Sequence, residues 1–191
     1  MSNVPAKKEP GMASLVIVLA VICLVIAALL GPVNSVTEGP IQANTEKTVQ
    51  ESLQKVLPAD EYTDVEFADA TITIETGTVV PVLAVYQAGD AGYVVETNTP
   101  NGFGGAIDMM AGIAADGSVT GIAVITHAET SGLGSKAQTD ADWQAQFPGK
   151  TGQVLVTKDG GEIEAITGST ITSRAICDGV NAARLVVESL G

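Results

Sequence analysis

Cysteine and histidine are nearly missing from this 191-residue chain, which has two of the former and one of the latter. Zinc and iron–sulfur sites built on cysteine take about four ligands, so this chain cannot assemble one alone, and a disulfide framework is excluded too. Positive charge is also scarce. Nine Lys and Arg stand against 22 Asp and Glu, a formal net charge of -13. That leaves nothing to neutralise a phosphate backbone and argues against a nucleic-acid partner. Aromatic residues make up 4% of the chain and hydrophobic residues 46%, so a core has to be built from Val, Ile, Ala and Leu. The length suits one domain with a tail, not two full-sized domains.

What is present is unevenly spread. Residues 12–30 read MASLVIVLAVICLVIAALL, a run without a charge and close to the ~20 apolar residues that cross a bilayer core. Lys7 and Lys8 precede it, and no Lys or Arg follows until Lys47. The positive-inside rule then gives a single-pass protein of the cytoplasmic (inner) membrane. Its expected parts are a cytoplasmic tail over 1–11, a transmembrane helix over 12–31 and an extracytoplasmic domain over 32–191. A cleaved signal peptide has a shorter apolar region and a small-x-small exit, and Leu29-Leu30-Gly31-Pro32-Val33-Asn34-Ser35 is a poor one. Cys23 follows the bulky Val21-Ile22 inside the run, which suits a helix-packing residue better than a lipid acceptor. Lys7, Lys8 and Glu9 take two of the 9 bases and one of the 22 acids, leaving 7 and 21, so the rest of the chain carries -14.

Past Gly31-Pro32 and Gly39-Pro40, Val49, Leu53 and Val56-Leu57 recur at helical spacing until Pro58. An amphipathic helix leading into the domain is expected there. Strands are expected over 70–75, 79–86, 92–97, 106–114, 119–126, 153–157 and 164–166, with Asp116-Gly117 as a hairpin turn. Residues 140–147 suit a short helix. After Gly168, residues Ile176, Val180, Ala183, Val187 and Leu190 form one apolar face of a last helix. The predicted fold class is α+β, one antiparallel sheet with flanking helices.

Two segments can carry chemistry. Ile166-Thr167-Gly168-Ser169-Thr170-Ile171-Thr172-Ser173 places hydroxyls and a glycine where a strand hands over to a helix. Free N–H groups and the positive dipole end favour an anion there, although Thr172 or Ser173 as a plain N-cap explains the same pattern. His127-Ala128-Glu129-Thr130-Ser131-Gly132-Leu133-Gly134 has two glycines around Leu133, a tight loop able to press its backbone on a flat ligand. A Ser131–His127 hydrolase centre lacks the G-x-S-x-G elbow. No residue is assigned a catalytic role and no metal site is expected. In DWQAQFPGK, Trp143 and Phe147 suit packing, and Lys150 is a candidate counter-charge for a phosphate. Cys177 suits packing inside the last helix.

Together, HAETSGLGSK and ITGSTITSRAICDGVNAA resemble the FMN-binding domain shared by the G subunit of the Rnf complex and the C subunit of the sodium-pumping NADH:quinone reductase. The stretch GYVVETNTPNGFGGAIDMMAGIAADGSVTGIAVITHAETSGLG continues the resemblance, which runs from about Thr48 to Gly191 and includes the layout of one N-terminal membrane helix. The length is nearer the Rnf protein. The resemblance implies FMN esterified through its phosphate to Thr170 in the motif Thr167-Gly168-Ser169-Thr170, with Ile171 and Thr172 beside it. It also implies that His127, Glu129, Thr130, Gly132, Leu133 and Gly134 line the flavin ring. Ser169 replaces the family's usual alanine and sets a second hydroxyl beside the acceptor, and Ser131 replaces a proline.

The Thr170 hydroxyl has no adjacent base to activate it, so a separate flavin transferase, with FAD as donor in this family, would form the bond. The implied protein is an electron-transfer subunit of a membrane redox complex that links ferredoxin oxidation to NAD reduction and to export of Na+ or H+. Its partners are the other subunits, the transferase and the membrane. A stand-alone anchored flavoprotein reductase and a cofactor-free anchored binding domain are the alternatives. The charge of -14 should lower the flavin's potential.

Overall fold

The computed structural model describes residue 12, residues 16–26 and residues 47–190. The chain divides into two units, Met1–Lys47 and Thr48–Gly191. In the first, residues 16–26 are helical and their apolar side chains, Val16, Leu19 and Leu24 among them, are exposed. Among the described residues no helix is long and apolar enough to cross a membrane. The rest of the span expected over 12–31, the tail before it and the segment 32–46 lie outside the described residues.

Helix α1 covers residues 47–56, and all of it after residue 47 belongs to the second unit. The strands of that unit are β1 (Thr63–Asp64), β2 (Thr71–Thr73), β3 (Val79–Gln87), β4 (Gly92–Thr99), β5 (Ile107–Ala114) and β6 (Val119–Thr126). Two one-turn helices follow, α2 (Lys136–Thr139) and α3 (Ala141–Gln144), and then the long helix α4 (Thr170–Leu190). The sheet runs β1-β3-β4-β5-β6, with β2 also on β3, and every pairing of strands is antiparallel. This is the α+β arrangement that alternation and turn residues predicted, with β3, β4, β5 and β6 within two residues of expectation.

Alternation sorts the strand side chains onto two faces. Val95, Met109, Ile113 and Ile122 face the main core, where Ile176, Val180, Ala183 and Val186 of α4 cover them. Val94, Met110 and Ala123 face the other way and are capped by Leu53, Val56 and Leu57 at the end of α1. Each fully buried Ile, Leu or Val contributes roughly 1.5–3 kcal/mol, so α4 is the principal fastener of the sheet. Trp143 and Phe147 pack edge to face, centroids 5.1 Å apart, as packing residues. The outer edge of β6 is closed: Gln138 donates to the carbonyls of Val124 and Ile125, and Val119 exchanges backbone bonds with Gly149 and Lys150.

Two expected strands are absent. Residues 153–157 and 164–166 form no ladder, and the one isolated bridge nearby is parallel, from Val156 to Ile163 just before the second segment. Side chains take the place of a ladder. The buried Asn181 amide bonds both the N–H and the C=O of Val154, at 2.7 and 2.8 Å. Gln146 accepts from the Glu164 N–H, and Trp143 donates to the Glu164 carbonyl. Ser173 accepts from the Ile166 N–H. The expected strand over 70–75 shortens to β2, and the helix expected over 140–147 to α3.

Candidate functional site

The loop after β6 is folded around one carboxylate. Glu129 is buried, yet both oxygens are used: Oε1 accepts from the Gly104 N–H at 3.0 Å, and Oε2 from the Thr172 hydroxyl at 2.7 Å. One side chain thus ties three segments, the glycine-rich turn before β5, the loop after β6 and the first turn of α4. Gly134 lies in the same knot. A Cβ there would overlap Glu129 Oε2 and stand 2.8 Å from Thr172 Oγ1, so only glycine lets the two motifs close on each other. The loop itself turns tightly, with the N–H groups of Leu133 and Ser135 both on the Thr130 carbonyl.

The start of α4 is equally specific. Gly168 has φ +78°, the left-handed region open to glycine, and from it the chain turns into the helix. The first amide in the helical ladder is that of Ser173, bonded to the Ser169 carbonyl at 3.0 Å. The amides of Thr170, Ile171 and Thr172 are therefore the free donors of the positive helix end. Thr172 and Ser173 lie inside the first turn, so the N-cap reading of either fails because the helix starts earlier. Ser169 is buried, whereas Thr170 is half-buried with its hydroxyl accepting from Lys158 Nζ at 3.0 Å.

Lys158 comes from a 3-10 turn, Thr157–Asp159. Asp159 in that turn forms a two-pronged ion pair with Arg174, 2.6 and 2.7 Å, one helical turn beyond Thr170. The guanidinium hydrogen bond holds the Asp159 carboxyl below its ordinary range, and the carboxylate raises Arg174 in turn. The pair pins the turn to α4.

Between these pieces lies a cavity of ≈ 340 Å³ lined by Glu129, Thr130, Leu133, Gly134, Gly168, Ser169, Thr170, Ile171 and Thr172, together with Phe103 and Lys158. Two motifs some 40 residues apart in sequence are one site. Its rim is apolar and exposed: Phe103 at 69%, Leu133 at 45% and Ile171 at 47%. Its polar end holds Thr170, Lys158 and the helix N-terminus. That combination suits a flat aromatic ring on a phosphate tail, and the size falls within the range of small-molecule sites.

Four of the expected site residues do not line the cavity. His127 accepts the Glu129 N–H on Nδ1 at 3.1 Å, and so supports the loop. Gly132 donates its amide to the Ser135 hydroxyl. Thr167 sits in the turn before the helix. Lys150 forms an ion pair with Glu162 and borders a different cavity. Two lining residues were not anticipated. Lys158 belongs to Lys158-Asp159-Gly160-Gly161, which reads only as a turn, and Phe103 to a glycine-rich turn whose position over the site no local pattern reveals. Cys177 is buried, and burial pushes its thiol up to about 12, as suits a packing group.

Residues 102–184 match the model of the FMN-binding domain family. The chain is 40% identical to the G subunit of the Na(+)-translocating ferredoxin:NAD(+) oxidoreductase complex of Acetobacterium woodii, over 91% of this chain and 90% of that protein. It is 32% identical to the G subunit of the ion-translocating oxidoreductase complex of Erwinia tasmaniensis, over 91% and 89%. The same identity relates it to the protein of that name in Shewanella piezotolerans, over 88% and 86%.

Proposed function

We infer the function from one premise: this chain belongs to the family of G subunits of ion-translocating oxidoreductase complexes. It is an electron-transfer component of such a complex, and FMN is its cofactor. The complex, like that of the Acetobacterium woodii relative, oxidises ferredoxin and reduces NAD while it translocates an ion. When bound, FMN supplies one- and two-electron redox chemistry that no side chain of this protein offers.

The finer assignment is ours. FMN is held by a phosphoester to Thr170, formed by a flavin transferase. The observation that carries it is the meeting, in one cavity, of an accessible Thr170 hydroxyl, free helix N-terminal amides and a lysine, beneath an exposed apolar rim. Ser169 lines the same cavity but is buried, which favours Thr170 as the acceptor. Phe103, Leu133 and Ile171 would flank the ring, and Glu129 with Gly134 would fix the loop under it. His127, Gly132 and Thr167 shape the turns behind these residues. Charge-free residues 12–30, with Lys7 and Lys8 before them, support a single membrane anchor with the N-terminus in the cytoplasm and the FMN domain outside.

The test is rapid-mixing absorbance on the detergent-solubilised complex. Reduced ferredoxin should bleach the flavin fraction belonging to this chain, and NAD should restore it. Thr170→Val should remove that fraction together with ferredoxin-dependent NAD reduction. Undiminished NAD reduction in Thr170→Val would overturn the relay.

A further inference from the structure

Resting on the reading of Thr170 as the attachment site, we propose that Lys158 is the cation that makes attachment possible, orienting the Thr170 hydroxyl and receiving the incoming phosphate. The argument begins with what Lys158 does in the free protein. Its ammonium donates to Thr170 Oγ1 at 3.0 Å, and among the described residues no carboxylate forms an ion pair with it. The neighbouring Arg174 lies on the same face of α4 but is committed to Asp159 through both prongs of its fork. Lys150 is committed to Glu162. Among the described residues, Lys158 is therefore the one cation that lines the cavity, and its ammonium is held by a hydroxyl and not by a direct ion pair, in a protein of formal net charge -13. The approach of an anionic flavin phosphate to so acidic a surface is unfavourable at long range. A positive end is needed at the acceptor, and Lys158 with the free amides of α4 supplies it.

The placement is built, not incidental. The turn that carries Lys158 is closed at Gly160 and bridged from Val156 to Ile163. The Asp159–Arg174 fork then fixes it against the first turns of the helix that presents Thr170. The geometry also allows the step to balance. Thr170 Oγ bonds to the flavin-side phosphorus of a flavin dinucleotide, the anhydride P–O bond breaks, and the nucleoside monophosphate leaves. The hydroxyl proton passes to a base of the transferase. No oxidation occurs. Lys158 donates to Oγ without competing for the departing proton, lowers the cost of negative charge on that oxygen, and ends opposite the new phosphodiester anion.

The experiment uses the purified full-length chain with flavin transferase and flavin adenine dinucleotide, with initial rates of flavin incorporation read by intact mass and in-gel fluorescence. Lys158→Met removes the charge from an exposed turn while keeping the stem, so the thermal midpoint should stay put. The rate should fall about ten- to a hundred-fold, the worth of a charge-assisted hydrogen bond. Lys158→Arg should recover most of it, and Lys150→Met should load as wild type does. A wild-type chain that stays unmodified would overturn the flavin reading and this proposal with it. Wild type that loads while Lys158→Met loads equally fast would overturn this proposal alone. Equal slowing in Lys158→Met and Lys158→Arg would also overturn it, since charge would then not be what matters.

Discussion

The sheet between Val79 and Thr126 and the loops between His127 and Ser169 are held together by different means. In the sheet, backbone groups bond to neighbouring strands, and three long ladders share the load. In the loops, single side chains satisfy the backbone: Asn181 at Val154, Gln146 and Trp143 at Glu164, Ser173 at Ile166, and Glu129 reaching out to Gly104. A ladder is redundant and forgiving. A backbone pinned by one side chain at a time is shaped to order, and each pin is a separate point of failure. The site belongs to the second kind. A sheet could not bring Thr170, Lys158, Leu133 and Phe103 around one cavity, because its side chains alternate on fixed faces.

The sharpest way to break this contrast is at Asn181. Replacing it with Leu leaves the buried N–H and C=O of Val154 without partners, at about 1–3 kcal/mol for each group. A loss of about 4 kcal/mol is expected in denaturant unfolding. Ile122→Val, equally buried but in β6, should cost only about 0.5–1.5 kcal/mol. Gly134→Ala comes next. The new Cβ has to displace Glu129 and Thr172, an overpacking cost of about 1–3 kcal/mol, and flavin loading should fall with it, as measured by mass. Glu129→Gln keeps the shape and an acceptor oxygen for Gly104, but its amide can only donate to the Thr172 hydroxyl, whose own proton then loses its charged acceptor. The expected cost is about 1–2 kcal/mol, read as a lower melting temperature, with slower loading.

The smallest effect is expected on the sheet, and in the opposite direction. Glu96 of β4 is half-buried, and burial first, then the charge of Asp108, raises its carboxyl above the ordinary range. A raised carboxyl pKa contributes stability below the unfolded value, and that contribution is lost as pH rises through the folded one. Glu96→Gln should therefore stabilise the domain slightly at neutral pH, with an advantage that vanishes as pH falls to about 4. Thermal melts across that range check the sign, and a gain that grows on acidification would refute it.

The same contrast explains what could be read from the sequence. Strands β3 to β6 and the buried stripe of α4 follow from alternation and the helical repeat, which are local and repeated many times. The two motifs were legible as well, because hydroxyl and glycine patterns mark a helix start and a tight loop. The strands expected over 153–157 and 164–166 were not realised, since their apolar alternation satisfies the pattern while Asn181 and Gln146, distant in sequence, satisfy the backbone. Lys150 and Lys158 show the limit plainly. Both are turn lysines near glycines, and only the fold decides that one meets Glu162 and the other Thr170. Phe103 reaches the cavity because the turn bearing it is drawn in by Glu129 through Gly104, a contact no spacing announces.

The central claim is that the loop-built cavity presents Thr170, not Ser169, to the flavin phosphate. Intact mass with peptide mapping, on the chain taken from a membrane with an active flavin transferase, tests it directly. The account predicts a gain equal to FMN less one water, located on Thr170, absent in Thr170→Val and retained in Ser169→Ala. An unmodified chain, or the same gain mapped to Ser169, would contradict it.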